Sequence, residues 1–268
     1  MKRTVLAVIA IMACSAGTLH AADDKAVQAA ISHMAKGYLA PGSAPDAAVY
    51  LSQPPAAGSS ALARDEDAAK AAVALRGGPR WELATSDADV FSPKATGAFS
   101  CTAGFEISPD ATPKLDSLMR RTMSDFGMAT RGLKAKYQRP RPFMVNGEPN
   151  CTPDWDAVLR KDGSFPSGHA TIGFGWGLLL AELVPDRAAQ MTARGRAFAD
   201  SRRICNVHWL SDTEEGALAA TAVLARLHAD PAFQKDVTAV RKELATKAVS
   251  ARAPTRDCAA EAAALAIK

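Results

Sequence analysis

One stretch limits the folds open to this chain more than any other: Gly168 to Leu183, which is apolar almost all the way round a helix. A helix without a polar face has to be buried on every side, in a protein core or in lipid. Its 16 residues carry Glu182 and have no comparable long apolar partners elsewhere in the chain. A bilayer core demands about 20 residues. The segment therefore reads as the buried central helix of a single helical-bundle domain, with amphipathic helices around it.

The rest of the sequence agrees with an all-α fold. Apolar residues make up 48% of the 268 positions, and Ala and Leu dominate them. Nine Phe, four Trp and three Tyr are present, and β-branched runs are scarce, which favours helix over sheet. A modest helix is expected over 24–39, ending at Pro41-Gly42, followed by an irregular Pro/Ala-rich arm to residue 58. Ser59 or Ser60 starts a helix to Leu75, Gly77-Gly78-Pro79 stops it, and Pro79 opens the next toward Val90. Residues 92–111 read as loop. Apolar side chains from Leu115 to Ala129 recur every three or four residues, predicting one long helix from Pro113 to Lys134 that ends at Arg139-Pro140-Arg141-Pro142. After a loop over 143–163 and the central helix, further helices are expected at 186–201, 208–228 and 231–247. The segment 248–268 reads as an Ala-rich tail.

The N-terminus looks like an address. Lys2 and Arg3 precede an apolar run from Thr4 to Ala13, with small residues at Ala21 and Ala22, the pattern of a secretory signal peptide over 1–21. Ile11-Met12-Ala13-Cys14 also admits a lipoprotein reading with an acylated Cys14. Removing residues 1–21 takes away Lys2 and Arg3 and no acid, so the net charge falls from +4 to +2. No basic tract of the kind that binds nucleic acid is present. The expected location is periplasmic or secreted, with no membrane span.

Three short motifs carry chemistry: Lys134-x6-Arg141-Pro142, Pro166-Ser167-Gly168-His169, and Ser201-Arg202-x5-His208-x3-Asp212. Together they supply three cations, two imidazoles, a helix-opening Ser-Gly pair and a carboxylate, an inventory suited to a tetrahedral oxyanion under attack by histidine. The third motif alone would arise by chance on the order of once in a thousand chains of this length. His208 is the candidate nucleophile. Asp212, four residues on, would share a helix face with it, accept its Nδ1 hydrogen and fix the tautomer. His169, at the mouth of the central helix, would protonate the leaving oxygen. Ser167 caps that helix, and the Ser167 and Gly168 amides sit at its positive end, where phosphate binds readily. Lys134, Arg141 and Arg202 would neutralise the phosphoryl oxygens.

Blander readings stand beside these: an incidental His/Asp helix pair, a capping histidine, a capping serine. Arg139, Lys136 and Arg203 lie outside the motifs and read as solvated surface charges. Tyr137, Phe143 and Trp209 read as packing residues in preference to lining a leaving-group pocket. His-x-x-x-His and Cys-x-x-Cys spacings are absent, so neither a metal nor another cofactor is expected. A P-loop and a G-x-S-x-G elbow are also absent.

The order and spacing of the three motifs resemble the type 2 phosphatidic-acid phosphatase superfamily, which includes the vanadium haloperoxidases. The wording Gly163-Ser164-Phe165-Pro166-Ser167-Gly168-His169 is similar to that of the soluble bacterial class A non-specific acid phosphatases. The resemblance runs from about residue 50 to 247 and is tightest over 131–216. It implies an acid phosphatase that hydrolyses small phosphate monoesters through a phosphohistidine, with His208 as nucleophile, His169 as acid and base, and Asp212 as the orienting carboxylate. It further implies a homodimer. The alternatives are a vanadate-dependent haloperoxidase, in which a histidine at position 208 would bind vanadate, and a non-catalytic phosphate-binding protein. Four cysteines remain after the signal, and an exported chain admits two disulfides in any of three connectivities, or free buried thiols. If the second and third motifs converge on one phosphate, Cys151 and Cys205 are drawn together and Cys101–Cys258 follows as the other pair.

Overall fold

A computed structural model describes residues 34–267, so the expected signal segment and its Cys14 lie outside the described residues. The longer helices are α1 (Ser60–Val73), α2 (Pro79–Asp87), α3 (Pro113–Met128), α4 (Arg131–Tyr137), α5 (Gly168–Leu183), α6 (Ala188–Ile204), α7 (Leu210–Leu227), α8 (Pro231–Leu244) and α9 (Cys258–Ala266). Single turns fill the connections, and no strand occurs among the described residues. The fold is all-α. The expected starts are chemically plain: Ser59 Oγ caps α1 by accepting from Leu62 N, Pro79 opens α2, and Asp230 with Pro231 starts α8.

Helix α5 is the central helix, packed against α3, α6 and α7 and touching α8. Its Trp176, Leu179 and Leu180 are fully buried among Leu118, Met119 and Phe126 of α3, Phe198 of α6 and Val223 of α7. The Trp176 indole is not left unsatisfied, since Nε1 donates to the Met119 carbonyl at 2.8 Å. The crossing with α6 is close because two glycines face each other. A Cβ added to Gly177 would stand 2.7 Å from the Gly195 Cα, and one on Gly195 would stand 2.9 Å from the Gly177 Cα. This contact holds the start of α5 and the end of α6 at one side of the bundle.

Four expectations need correction. The long helix is two helices, broken at Ala129-Thr130, where the Thr130 hydroxyl turns back to the Gly127 carbonyl at 3.2 Å. The part of the 24–39 helix that is described, residues 34–39, is not helical. Asp125 of α3 instead draws this strand of chain out by accepting from the amides of Tyr38 and Leu39, at 2.9 and 3.0 Å. Helix α6 runs three residues past its expected end, to Ile204, so Arg202 lies inside its last turn. Finally, the C-terminal segment is packed, not ragged. Asp257 caps α9, α9 lies against α2, and Glu261 is buried against the Arg194 guanidinium of α6 at 3.3 Å. Disulfides join Cys101 to Cys258 and Cys151 to Cys205.

Candidate active site

The site lies where the start of α5, the end of α6, the start of α7 and the loop after α4 meet. After α6, Asn206 takes the left-handed conformation (φ 60°), which asparagine tolerates better than most residues. The chain then folds back, so that the amides of both Val207 and His208 point at the Arg202 carbonyl, each at 3.3 Å. This turn places His208 over Arg202. His208 therefore precedes α7 and does not share a helix with Asp212, which sits in the first turn and accepts from the Trp209 amide at 2.8 Å. The His208 Nδ1 is 3.4 Å from Asp212 Oδ2 but makes no hydrogen bond. Its Nε2 faces Arg141 Nη1 at 3.1 Å, which leaves the proton on Nδ1 if Nε2 accepts.

Arg141 is almost wholly buried and fully engaged. Nε donates to the carbonyls of Leu159 and Asp162, Nη1 to the Val207 carbonyl at 2.9 Å, and Nη2 to Asp162 Oδ2 at 3.0 Å. The same Asp162 oxygen accepts from Lys134 Nζ at 3.0 Å, so one half-exposed carboxylate bridges two of the three expected phosphate-binding cations. Lys134 also donates to the Gly163 carbonyl. Arg202 is different. It is 2% exposed, its Nε has no partner, and its Nη1 meets the Cys205 sulfur at 3.7 Å. No carboxylate pairs with it among the described residues.

At the start of α5, Ser167 Oγ caps the helix by accepting from Ala170 N at 3.2 Å. The Ser167 amide, expected to be free, donates to the Asp212 carbonyl at 2.9 Å, so the unpartnered amides belong to Gly168 and His169. A Cβ on Gly168 would press on the Thr130 hydroxyl at 3.3 Å. The His169 ring is partly buried, with Nε2 at 3.1 Å from the Ala88 carbonyl.

Concentrated positive charge out of water governs the titration of these groups. Burial, then Arg141, pushes the Lys134 amine down to about 8, and burial, then Arg141, pushes Arg202 down to about 9. Both imidazoles fall well below 6.5. Burial is the main cause in each, with Arg202 and His208 adding to it at His169, and Arg141, Lys134 and Arg202 at His208. Burial raises the Asp212 carboxyl, against opposition from Arg139, the Trp209 amide and Ser164. Each imidazole thus feels several of the cations, and the three motifs form one electrostatic unit.

Sequence reasoning misplaced Arg139. Its side chain is not solvated but forked between two buried carboxylates, Asp65 and Asp212, each at 2.7 Å. Asp65 on α1 is held in turn by the amide and hydroxyl of Ser211 at 2.8 and 2.6 Å. Arg203 likewise binds Asp200 and the Ala68 carbonyl. Tyr137, Phe143 and Trp209 pack: Tyr137 meets Phe165 edge-on, Phe143 is buried, and Trp209 Nε1 donates to the Pro140 carbonyl. The cleft that His169 and Arg202 open onto is instead walled by Phe91 and Trp155, whose rings stack at 5.8 Å. Neither residue stands in a motif, and no local spacing links them.

The PAP2 superfamily model matches residues 123–235, a span that holds all three motifs. An acid phosphatase of Zymomonas mobilis is 38% identical over 78% of this chain and 79% of its own length. A non-specific acid phosphatase of Salmonella typhimurium is 38% identical over 74% of this chain and 80% of its own. A third, from Providencia stuartii, is 35% identical over 78% of this chain and 84% of its own. With the three motifs gathered at one place and these likenesses on record, the chain belongs to the PAP2 superfamily.

Proposed function

We propose that the protein is an exported acid phosphatase that hydrolyses phosphate monoesters through a phosphohistidine at His208, without a metal. The observation that carries the reading is Arg202: a buried guanidinium with an unpartnered Nε, beside two unpartnered helix-end amides and two imidazoles. Such an arrangement lacks an anion, and a phosphoryl group supplies one. The relatives' own names favour hydrolysis over vanadate-dependent oxidation.

In the first half-reaction, phosphoryl oxygens take the place of Asp162 on Lys134 and Arg141 and meet Arg202 and the Gly168 and His169 amides. Nε2 of His208 attacks phosphorus, and the P–O bond to the leaving alcohol breaks. The departing oxygen takes its proton from His169. The imidazolium formed at His208 is stabilised by Asp212, which Arg139 and Asp65 hold in place. In the second half-reaction His169 removes a proton from water, the water oxygen attacks phosphorus, and the P–N bond returns its electrons to His208. The low proton affinity of His208 keeps its lone pair free at acid pH. Export is supported by the N-terminal pattern and the two disulfides. No helix of the described residues is long and apolar enough to cross a membrane.

The test compares an aryl with an alkyl phosphate monoester across pH, with and without chelator. His208→Ala should lose turnover and the acid-labile phosphoenzyme together. His169→Ala should lose about 100- to 10,000-fold on the alkyl ester and much less on the aryl ester, whose leaving group needs no acid. Equal losses on the two esters would remove His169 from the acid role. Because the acid must be protonated and its proton affinity is lowered in the empty site, kcat/KM should fall as pH rises through the acid range. Bound phosphate offsets the cations, so kcat should persist to higher pH than kcat/KM.

A further inference from the structure

Resting on that reading, we infer that Phe91 and Trp155 form a leaving-group subsite that selects flat aromatic phosphate esters. His169 must meet the leaving oxygen, and the cleft it opens onto with Arg202 is walled by these two rings, with Thr152 and Leu159 completing it. Among the described residues that line it, Arg202 is the one permanently charged side chain, and the proposed scheme gives it to the phosphoryl group. The cleft therefore offers a leaving group apolar and aromatic surface, and no charge to recognise a carboxylate or a second phosphate.

The pair is built into the site by short covalent paths. Phe91 follows three residues after Ala88, whose carbonyl meets His169 Nε2 at 3.1 Å, and its own amide is fixed by Asp89 Oδ1 at 3.1 Å. Trp155 lies four residues after Cys151, whose disulfide partner Cys205 stands midway between Arg202 and His208. Its amide is pinned to the Thr152 carbonyl at 3.0 Å, and the Thr152 amide to Asn150 Oδ1 at 2.8 Å. The two rings stack nearly parallel, 15° apart, and both remain partly exposed. The cleft is narrow, about 30 Å³. With the two rings already stacked on each other, a substrate ring adds to the partly exposed outside of the pair and does not slide between its members. Offset stacking of this kind favours a flat ring over a puckered one of equal size.

Competitive inhibition separates this subsite from the phosphate nest and from leaving-group reactivity. Phenylphosphonate and cyclohexylphosphonate differ in flatness but little in size, and inorganic phosphate reports the nest alone. The wild-type protein should bind phenylphosphonate about threefold to tenfold more tightly than cyclohexylphosphonate. Trp155→Leu and Phe91→Leu should erase most of that gap while leaving the inhibition constant of inorganic phosphate unchanged, and Trp155→Phe should restore part of it. Equal binding of the two phosphonates in the wild type, or a gap that survives both Leu variants, would overturn the subsite while phosphate inhibition persists. Loss of turnover and of phosphate inhibition in the wild type would instead sink the phosphatase reading itself.

Discussion

Asp162 sits on two of the three cations proposed to hold the phosphoryl group. Its Oδ2 bridges Lys134 and Arg141, each at 3.0 Å, although its side chain is 48% exposed. Asp162 favours the charged forms of both cations, and in the proposed scheme an entering phosphoryl group takes over that role. Asp162→Asn keeps the shape and removes the competing charge. It should lower KM for phosphate monoesters by about twofold to fivefold, the scale of a half-exposed ion pair, with kcat little changed. A raised KM in steady-state assays would mean that the carboxylate positions Arg141 instead. At this scale the motif residues were legible because their spacing is local, and the structure brings them into one cluster. Arg139 was not legible, because its meaning depends on Asp65 on another helix, and an arginine between Gln138 and Pro140 carries no sign of that partner. His208 and Asp212 were read as helix neighbours because four residues is the helical repeat. The left-handed turn at Asn206 delays the helix by two residues.

Among the elements, the crossing of α5 and α6 sets the distance between the two halves of the site. His169 rides on the first turn of one helix and Arg202 on the last turn of the other, with the Gly177–Gly195 contact between. Gly195→Ala places a methyl 2.9 Å from the Gly177 Cα and 3.2 Å from the Gly173 carbonyl, all backbone that cannot swing aside. Overpacking of this kind costs about 1–3 kcal/mol, and the gain in helix propensity returns only about 1 kcal/mol. Urea titration should show a net loss of stability, and kcat/KM should drop with it. Gly132→Ala on α4 is the control: nothing lies within 4 Å of the new Cβ, so stability should rise. The order of helices was readable from apolar period, caps and prolines. The break at Ala129-Thr130 was not, because the apolar pattern of α3 runs on through it and the nearby glycines, Gly127 and Gly132, lie inside the two helices and not at the break.

For the whole molecule, the two disulfides divide the labour. Cys101–Cys258 spans 157 residues and fastens α9 to the body, away from the cleft. Replacing both cysteines with serine should lower stability by about 2–4 kcal/mol through the greater freedom of the unfolded chain, and leave KM and kcat unchanged below the melting transition. Replacing Cys151 and Cys205, which lie against the turn that carries His208, should alter the kinetics as well. Comparing melting temperature with rate constants for the two double variants checks this division. The all-α bundle was legible from one segment without a polar face, whereas the docking of α9 depends on Glu261 finding Arg194 across 67 residues.

The Arg202 guanidinium, which no carboxylate pairs with among the described residues, has one more consequence. A cage that is under-neutralised when empty does not distinguish the anion that arrives as an ester from the one left behind as orthophosphate. In the proposed scheme, orthophosphate released by turnover competes with fresh ester for the same cations, so phosphate added to the assay should slow the reaction.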